Sequence, residues 1–500
     1  MKKLLLVTFV LLAALTHAQA PLQPAWVKII TPSNSVDAKA WSVTSSPEGH
    51  LYWSTNQPNF SPLIAQKLYK LDTAGNSLWT TPGIYDLHQD NKSFVVREKD
   101  GIVYTAGKSC YCIHLNQVCC DLSLVAWNAM TGDTLWSRTY DVFGEYEECD
   151  GLVIEDSSIF LTGWARDSGA TWFDVLLMET DLSGNVLWQK TWDEGAGMDE
   201  KQDGHIFIDN THIFCTGVSQ VPPSPALLTS GFKGEATIWK FDRTGNYVDH
   251  KTWGYNTGSP LEFDDALGMA SDGTNMFAVG AVSPGLFNSQ WFIRKYDKNL
   301  NLIWQDEWGG SGGEDGRAVA LGPLGNIFVA VNTFSYGNSG KIALLKYSPA
   351  GQLVAFYLYG SDSLKETAQD IIYFQDALYI SGNKISATSG KQEPLLIKVD
   401  LSSLVNTGVV SGYAGFTLEQ NVPNPAQAYT QIRFTLDAPG KVELEVRDIQ
   451  GQLVSPPIKG RFAAGQHRIQ LDLSQVAAGN YLYSLKVSDR RFTRMLNIVK

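Results

Sequence analysis

Cysteines, recurring carboxylates and a few loop aromatics are the residues here whose types and spacing suit chemistry. Cys110, Cys112, Cys119 and Cys120 fall within eleven residues, while Cys149 and Cys215 stand apart. In an oxidising compartment an even count predicts disulfides. The spacing points to Cys110 or Cys112 joined to Cys119 or Cys120 across one loop. A zinc site of these thiolates with His114 is the alternative, but the spacing is not that of a zinc ribbon. Cys149 and Cys215 are either a pair or free buried thiols. The acids come in short groups: Glu145, Glu147, Glu148 and Asp150; Asp193, Glu194, Asp199 and Glu200; Asp264 and Asp265; Glu314 and Asp315; Asp362 and Glu366. Such a set can ring a channel mouth and hold Ca2+ or a cationic ligand. It can equally cap turns by accepting backbone N–H bonds, and recurrence favours capping, because a structural need repeats. No Asp-x-Asp-x-Asp-Gly calcium loop is present. Tyr111, Trp164, Trp172 and Phe287 have the faces to stack on sugar rings, or to cover loop backbone. The candidate ligand set is therefore Glu147, Asp199, Glu200, Asp264, Asp265, Glu314, Asp315, Glu366, Tyr111, Trp164 and Trp172. No catalytic residue, metal ligand or resident cofactor is expected. The eight histidines lack metal spacing, and no Ser-His-Asp context or Gly-rich phosphate loop stands out.

The elements that must carry these residues repeat. A strand, a tight turn, a strand ending in Gly, a variable stretch, a strand ending near Asp, a Gly-Asn-type turn and a Trp-bearing strand recur. Two copies are Gly151–Gly163 with Asp174–Asp181 and Trp188, and Ala266–Gly280 with Trp291–Asp297 and Trp304. The third strand ends at Asp72, Asn128, Asp181, Asp242, Asp297, Ser348 and Asp400, at steps of 51–61 residues. Four strands per unit at this period predict a seven-bladed β-propeller over residues 26–403. Trp26-Val-Lys-Ile-Ile30 resembles a fourth strand and precedes the first whole unit, so it is expected to complete the last blade. The three–four turns are tight, as at Ala74-Gly75-Asn76. The long insertions, Lys108–Cys120, Trp164–Trp172, Val218–Glu235 and Ala281–Gln290, fall on the opposite face, which is the face expected to bind. Trp79, Trp136, Trp188 and Trp304 recur at one place and are expected to pack between blades.

Five hundred residues, 44% apolar, support a packed core, and a net charge of −12 argues against nucleic acid or an anionic membrane as partner. Lys2 and Lys3 precede the apolar run Leu4–Leu15, and small residues at Thr16 and Ala18 complete a secretory signal over residues 1–18. No later run is long enough to span a bilayer. After a linker at 404–415, short alternating strands at Gln431–Leu436, Lys441–Asp448, His467–Leu473, Tyr481–Ser488 and Phe492–Val499 predict a small immunoglobulin-like β-sandwich over 416–500. The fold class is all-β throughout.

Several motifs carry resemblances. Asn421-x-Pro423-Asn424-Pro425, Thr430-x-Ile432, Asp448-x-x-Gly451, Gly465-x-His467, Gly479-x-Tyr481 and the basic last residue Lys500 resemble the type A C-terminal sorting domain of type IX secretion cargo in Bacteroidota. The resemblance implies recognition by that machinery through residues 416–500, then release or surface attachment. Ala426 departs from it, standing where the family often has an aromatic residue. The stretch from Trp308-Gly-Gly-Ser through Gly325-Asn-Ile-Phe-Val329 resembles the unit of bacterial β-propeller repeat proteins, which implies architecture only. Asp167-x-Gly169-x-Thr171-Trp172 resembles part of a sialidase Asp box, with Ala165 in place of the leading Ser. Ala126-x-Asn128-x-x-x-Gly132-x-x-x-Trp136, with Cys119-Cys120, resembles a quinoprotein repeat, although Asp249 and Ala355 replace the Trp in other units. The expected function is an exported, non-catalytic propeller that binds or scaffolds a glycan or protein ligand outside the cell. The alternative is a secreted propeller enzyme acting on polysaccharide or using a quinone.

Overall fold

Strands such as Asp174–Asp181 and Gln290–Asp297 are buried at most positions and carry unbroken apolar runs, the pattern of strands covered on both faces. A sharp polar turn ends each. At Asp181 one carboxylate oxygen accepts N–H bonds from Ser183 (2.8 Å) and Asn185 (2.9 Å), and the other accepts from the Asn185 amide (2.8 Å). Asp72, Asp242 and Asp297 repeat this clip. Hydrogen bonds from Asn76 and Asn185 hold the Asp72 and Asp181 carboxyls below their usual range. Burial pushes the Asp242 carboxyl up, but the bonds from Asn246 and Thr244 outweigh it and hold it at about 2.

The computed structural model describes residues 20–32, 37–60, 63–82, 89–114, 117–167, 173–195, 200–201, 204–220, 234–254, 264–283, 289–308, 312–336, 339–404, 416–418, 421–436, 439–448, 453–487 and 490–499. The signal segment lies outside them. From Lys39 the strands form antiparallel sets of four in which chain order is spatial order, except that within 200–253 two short strands, Glu200–Lys201 and Ile206–Ile208, share the first place against His212–Gln220. Lys39–Ser45, His50–Phe60, Leu63–Asp72 and Ser77–Thr80 make the first. Others follow within 89–140, 144–192, 200–253, 265–308 and 314–359. The last set has Glu366–Phe374, Ala377–Ile385 and Gln392–Asp400, and takes Trp26–Ile29 as its fourth strand, paired with Leu395–Lys398. A parallel bridge from Tyr146 to Cys120 links the second set to the third.

Each hydrophobic cluster of this region is shared by two consecutive sets. Phe277 and Trp291 pack with Val319, Val329 and Tyr347, and Ala318 and Leu344 with Ala368, Ile380 and Leu395. The series closes where Val43 and Trp53 of the first set pack with Tyr379 and Leu396 of the last. Hydrogen bonds cross the same junction: Ser42 Oγ to Asp370 (2.7 Å), Trp53 Nε1 to Ser381 Oγ (3.0 Å) and Ala40 N to Asn383 Oδ1 (2.7 Å). No set has an interior of its own, so only closure hides every apolar face. The first strands contact one another in sequence around this ring and line its axis.

Trp26 is used like the repeated tryptophans. Its ring lies on the next set's third turn, where Gly75 has φ +87° and an added Cβ would stand 3.1 Å from the indole. Trp79, Trp136, Trp188 and Trp304 cover Gly132, Gly184, Gly245 and Gly351 likewise. Upstream, Ala20–Pro21 runs parallel to Tyr357–Leu358. At the other end Leu404, expected to open the linker, is buried in the cluster between the last two sets; residues 405–415 lie outside the described residues.

The C-terminal unit has two sheets, Phe416–Leu418 with Tyr429–Leu436 and Gly465–Asp472, and Ile458–Phe462 with Gly440–Asp448, Gly479–Val487 and Arg490–Ile498. They enclose one core that includes Ile432, Phe434, Leu444, Tyr483 and Leu496. The strands at Phe416–Leu418 and Ile458–Phe462 were not foreseen. The unit touches the ring where Arg494 pairs with Asp306 (3.0 Å), which also accepts from the buried Tyr347 hydroxyl (2.9 Å).

Candidate functional site

A β-bulge in the first strand of most sets builds the site. The ladder skips Trp41 and Ser42, Phe94, Asp150, Leu267 with Ala266, Arg317 and Gln369. A bulged residue is left unpaired and its side chain is re-aimed. Here Trp41, Phe94, Asp150, Leu267, Arg317 and Gln369 meet in one cavity of about 90 Å³ on the axis. The bulge brings backbone close to the second strand, which explains why that strand carries a Gly opposite it. A Cβ at Gly163 would lie 1.8 Å from the Glu148 carbonyl oxygen, and one at Gly280 would lie 1.9 Å from that of Asp265.

Trp41, Arg317 and Gln369 also line a second cavity, of about 170 Å³, at the mouth between the last two sets and the first. It opens on the side of the blade-to-blade connections and the second-to-third turns. Lys39, Arg317, Lys365 and Lys384 line it, against the single carboxylate of Asp315. Arg317 Nε lies 3.2 Å from that carboxylate, and Lys365 Nζ sits 5.0 Å above the Phe334 ring. The Trp41 ring is held edge-on by Phe94 at 4.7 Å. Its indole N–H is buried without a partner. The mouth thus offers cations and aromatic surface, which suits an anionic group on a ring-bearing ligand.

Below, Asp370 accepts from Ser42 Oγ and from the backbone N–H of Val43 (3.0 Å) and Ile371 (2.8 Å). His205 Nε2 is 3.9 Å from it. Burial holds His205 below its usual value against the pull of Asp370. The hydroxyl donates to the carboxylate rather than to the imidazole, so this trio does not activate a serine nucleophile.

The carboxylates foreseen from sequence sit elsewhere. Glu147, Asp264, Asp265, Glu314 and Glu366 are buried, and four of them bond neighbouring segments. Phe143 N donates to Glu147 (3.1 Å), Ser283 N to Asp264, Thr333 and Ser335 hydroxyls to Glu314, and Ser361 N to Glu366 (3.3 Å). Burial pushes Glu147 up to about 8, aided by Asp141 and Asp121, and raises Glu366. Among the described residues of the set, Asp315 alone lines the mouth. Trp164 is buried, stacked on Tyr146 at 4.9 Å and met edge-on by Phe173 at 4.6 Å. Asp199, Trp172 and Phe287 lie outside the described residues, as do the side chains of Tyr111 and Glu200.

Sequence reasoning missed Lys39, Trp41, Phe94, Leu267, Arg317, Lys365, Gln369 and Lys384. The signal was one variable column in the first strands, from Trp41 to Gln369, with an apolar residue two places after each.

Cys110 and Cys120 face one another across adjacent strands, with Cα atoms 3.9 Å apart, and form a disulfide. That removes two thiolates from the zinc alternative and separates Cys120 from its neighbour Cys119. Cys119, Cys149 and Cys215 are free and buried, and burial pushes all three thiols up. The Cys112 side chain lies outside the described residues.

In the C-terminal unit Asn421 is buried. Its amide donates to Pro423 O and to Thr430 Oγ1, both at 2.9 Å, and Thr430 Oγ1 donates to Pro423 O (2.8 Å). Pro423, Asn424 and Pro425 are exposed, and both proline peptide bonds are cis. Ala426 is buried in the core and its carbonyl receives Val499 N (2.8 Å). Gly479 precedes Tyr481, whose hydroxyl donates to Ala477 O (3.0 Å); Lys500 lies outside the described residues.

Residues 422–499 match the family described as the secretion system C-terminal sorting domain. That domain points to handling by the type IX machinery and to secretion or cell-surface attachment. No curated protein matches the chain. Among solved structures, the chain is similar to the lignostilbene dioxygenase of Pseudomonas brassicacearum (TM-score 0.43, 10% identity, 78% of this chain and 95% of that one). It is also similar to the β-propeller domain of the Trilobed protease of Pyrococcus furiosus (0.39, 10%, 73% and 95%). The Trypanosoma rangeli sialidase matches at 0.41 and 7% identity, over 85% and 86%. Among the described residues no helix is long and apolar enough to cross a membrane.

Proposed function

We propose that the chain is an exported binding protein: a seven-bladed β-propeller over residues 26–403, delivered by an immunoglobulin-like sorting sandwich over 416–500. The propeller takes an anionic ligand, most simply the acidic end of a saccharide, at the basic mouth of its channel. The observation that carries this reading is the set of bulge residues. A purely structural position would repeat one residue type, yet six blades send Trp, Phe, Asp, Leu, Arg and Gln to one point. The neighbouring mouth cavity then supplies four cations against one carboxylate. Phe334 and Trp41 give apolar faces on which a sugar ring can lie.

The test is calorimetric titration of the mature protein with uronate-bearing, sulfated and neutral oligosaccharides. The reading expects binding of the acidic ones, weakened at least about tenfold by Arg317→Ala or Lys365→Ala, the loss of one charge-assisted bond. It also expects affinity to fall with salt. Preference for neutral sugars, or variants that bind like wild type, would refute it. The enzyme alternative draws on His205 and Asp370 beneath the mouth. Turnover assays with and without calcium and a quinone decide it: turnover lost in His205→Ala would replace binding by catalysis. Export is tested by deleting residues 416–500, which should trap the protein in the periplasm.

A further inference from the structure

We propose that Asp121, Asp141 and Glu147 form a divalent-cation site, suited to Ca2+, that fastens the second set of strands to the third. The site shares no residue with the two channel cavities and does not depend on them. Asp121 lies in Gln117–Asn128, immediately after the disulfide-bonded Cys120. Asp141 follows the outer strand Thr134–Tyr140, and Glu147 lies in Gly144–Ile154, the first strand of the next set. The chain crosses from one set to the other between Asp141 and Gly144, so one ion would hold both ends of the crossing.

One carboxylate oxygen from each residue lies within 4.8 Å of the other two. A Ca2+ ion holds oxygens at about 2.3–2.6 Å, so two oxygens on opposite sides of it are about 4.6–5.2 Å apart. Oxygens at these separations can converge on a single ion with small side-chain adjustments. The second observation concerns Glu147 alone. The residue is fully buried. One of its oxygens accepts from Phe143 N, while the other is buried with no hydrogen-bond partner. A buried carboxylate oxygen without a donor calls for a cation. The donors are all oxygen, which favours a hard ion. Asp141 is exposed, which leaves an open side for the waters that complete a Ca2+ shell of six to eight ligands.

The experiment uses the chelator-treated full mature chain. Calorimetric titration with CaCl2 should give one saturable site. Thermal unfolding in about 10 mM CaCl2, about a hundredfold over a Kd of the extracellular class, should show a midpoint raised by roughly 2–5 °C. Asp141→Asn, an exposed and isosteric change, should abolish both effects while leaving the metal-free melt unchanged. Glu147→Gln should do the same where it folds, and Asp141→Asn alone decides where it does not. No binding heat and no shift would overturn the proposal, as would an Asp141→Asn variant that responds like wild type. An equal response to MgCl2 would overturn the assignment to Ca2+.

Discussion

Closure of the ring by the N-terminal strand is open to a test with an internal standard. Trp26 donates its indole N–H to Thr73 O (3.0 Å), lies on Gly75, and meets Tyr379 at 6.0 Å between ring centroids. Lys28 Nζ donates to Gly75 O (3.0 Å) from the same strand. Truncating a fully buried large aromatic costs about 3–5 kcal/mol. Trp26 is half-buried, so about half of that applies, with about 1 kcal/mol more for the lost hydrogen bond. Trp26→Ala should therefore cost roughly 2–4 kcal/mol and lower the melting midpoint by roughly 3–8 °C. Trp188, half-buried and lying on Gly245 of the next set, does the same work inside the repeat. If Trp26–Ile29 is a working strand, Trp26→Ala and Trp188→Ala should lower the midpoint by similar amounts in scanning fluorimetry. Trp26→Ala melting with wild type while Trp188→Ala falls would show that the strand merely rests on its sheet.

Three further outcomes follow from other contacts. Gly382→Ala would place a Cβ 2.1 Å from Thr367 O at the bulge that displays Gln369; urea titration should show a loss of roughly 1–3 kcal/mol, and an unchanged midpoint would count against the bulge geometry. The Asp242 carboxyl is held at about 2 against an ordinary 3.8. Its contribution is complete above about pH 4 and lost as pH falls toward 2, so denaturation at stepped pH should steepen there, and Asp242→Ala should be flatter than wild type. Asn421→Ala strips the Pro423 carbonyl and the Thr430 hydroxyl of their shared donor, and hydrogen exchange at Thr430–Ile432 should rise as the sorting domain loses about 1–3 kcal/mol.

The ring was readable because its needs recur. Asp72, Asp181, Asp242 and Asp297 clip the same turn, and each repeated Trp covers the next Gly, so both appear at a fixed period. Trp26 fitted that column, and its place in the last set follows from one side chain's packing. The cysteine loop was readable to within its partners: adjacent strands brought Cys110 to Cys120, and register, which sequence does not carry, left Cys119 on the opposite face. The carboxylates read as a mouth are buried because the loops beside them leave polar groups that water cannot reach: Glu147, Asp264 and Glu366 accept backbone N–H groups, and Glu314 accepts two hydroxyls. Periodicity shows that an acid is needed at such a place; it does not show which way the acid points.

The channel residues escaped notice for the opposite reason. A bulge lets one side chain leave the ladder without disturbing the strand's other positions, which keep packing between sets. Asp370 shows the separation: one residue past Gln369, it lines the axial cavity too but is tied to Ser42 and Val43 across the closing junction, while Gln369 lines both the axial cavity and the mouth. The frame therefore constrains position 370 by a neighbour's hydroxyl and backbone, and leaves position 369 to whatever enters the channel. Exchanging Gln369 for Glu should consequently alter affinity for an anionic ligand far more than it alters stability, whereas Asp370→Asn should loosen the ring. In a repeat built this way, the positions that break the repeat are the ones free to carry specificity.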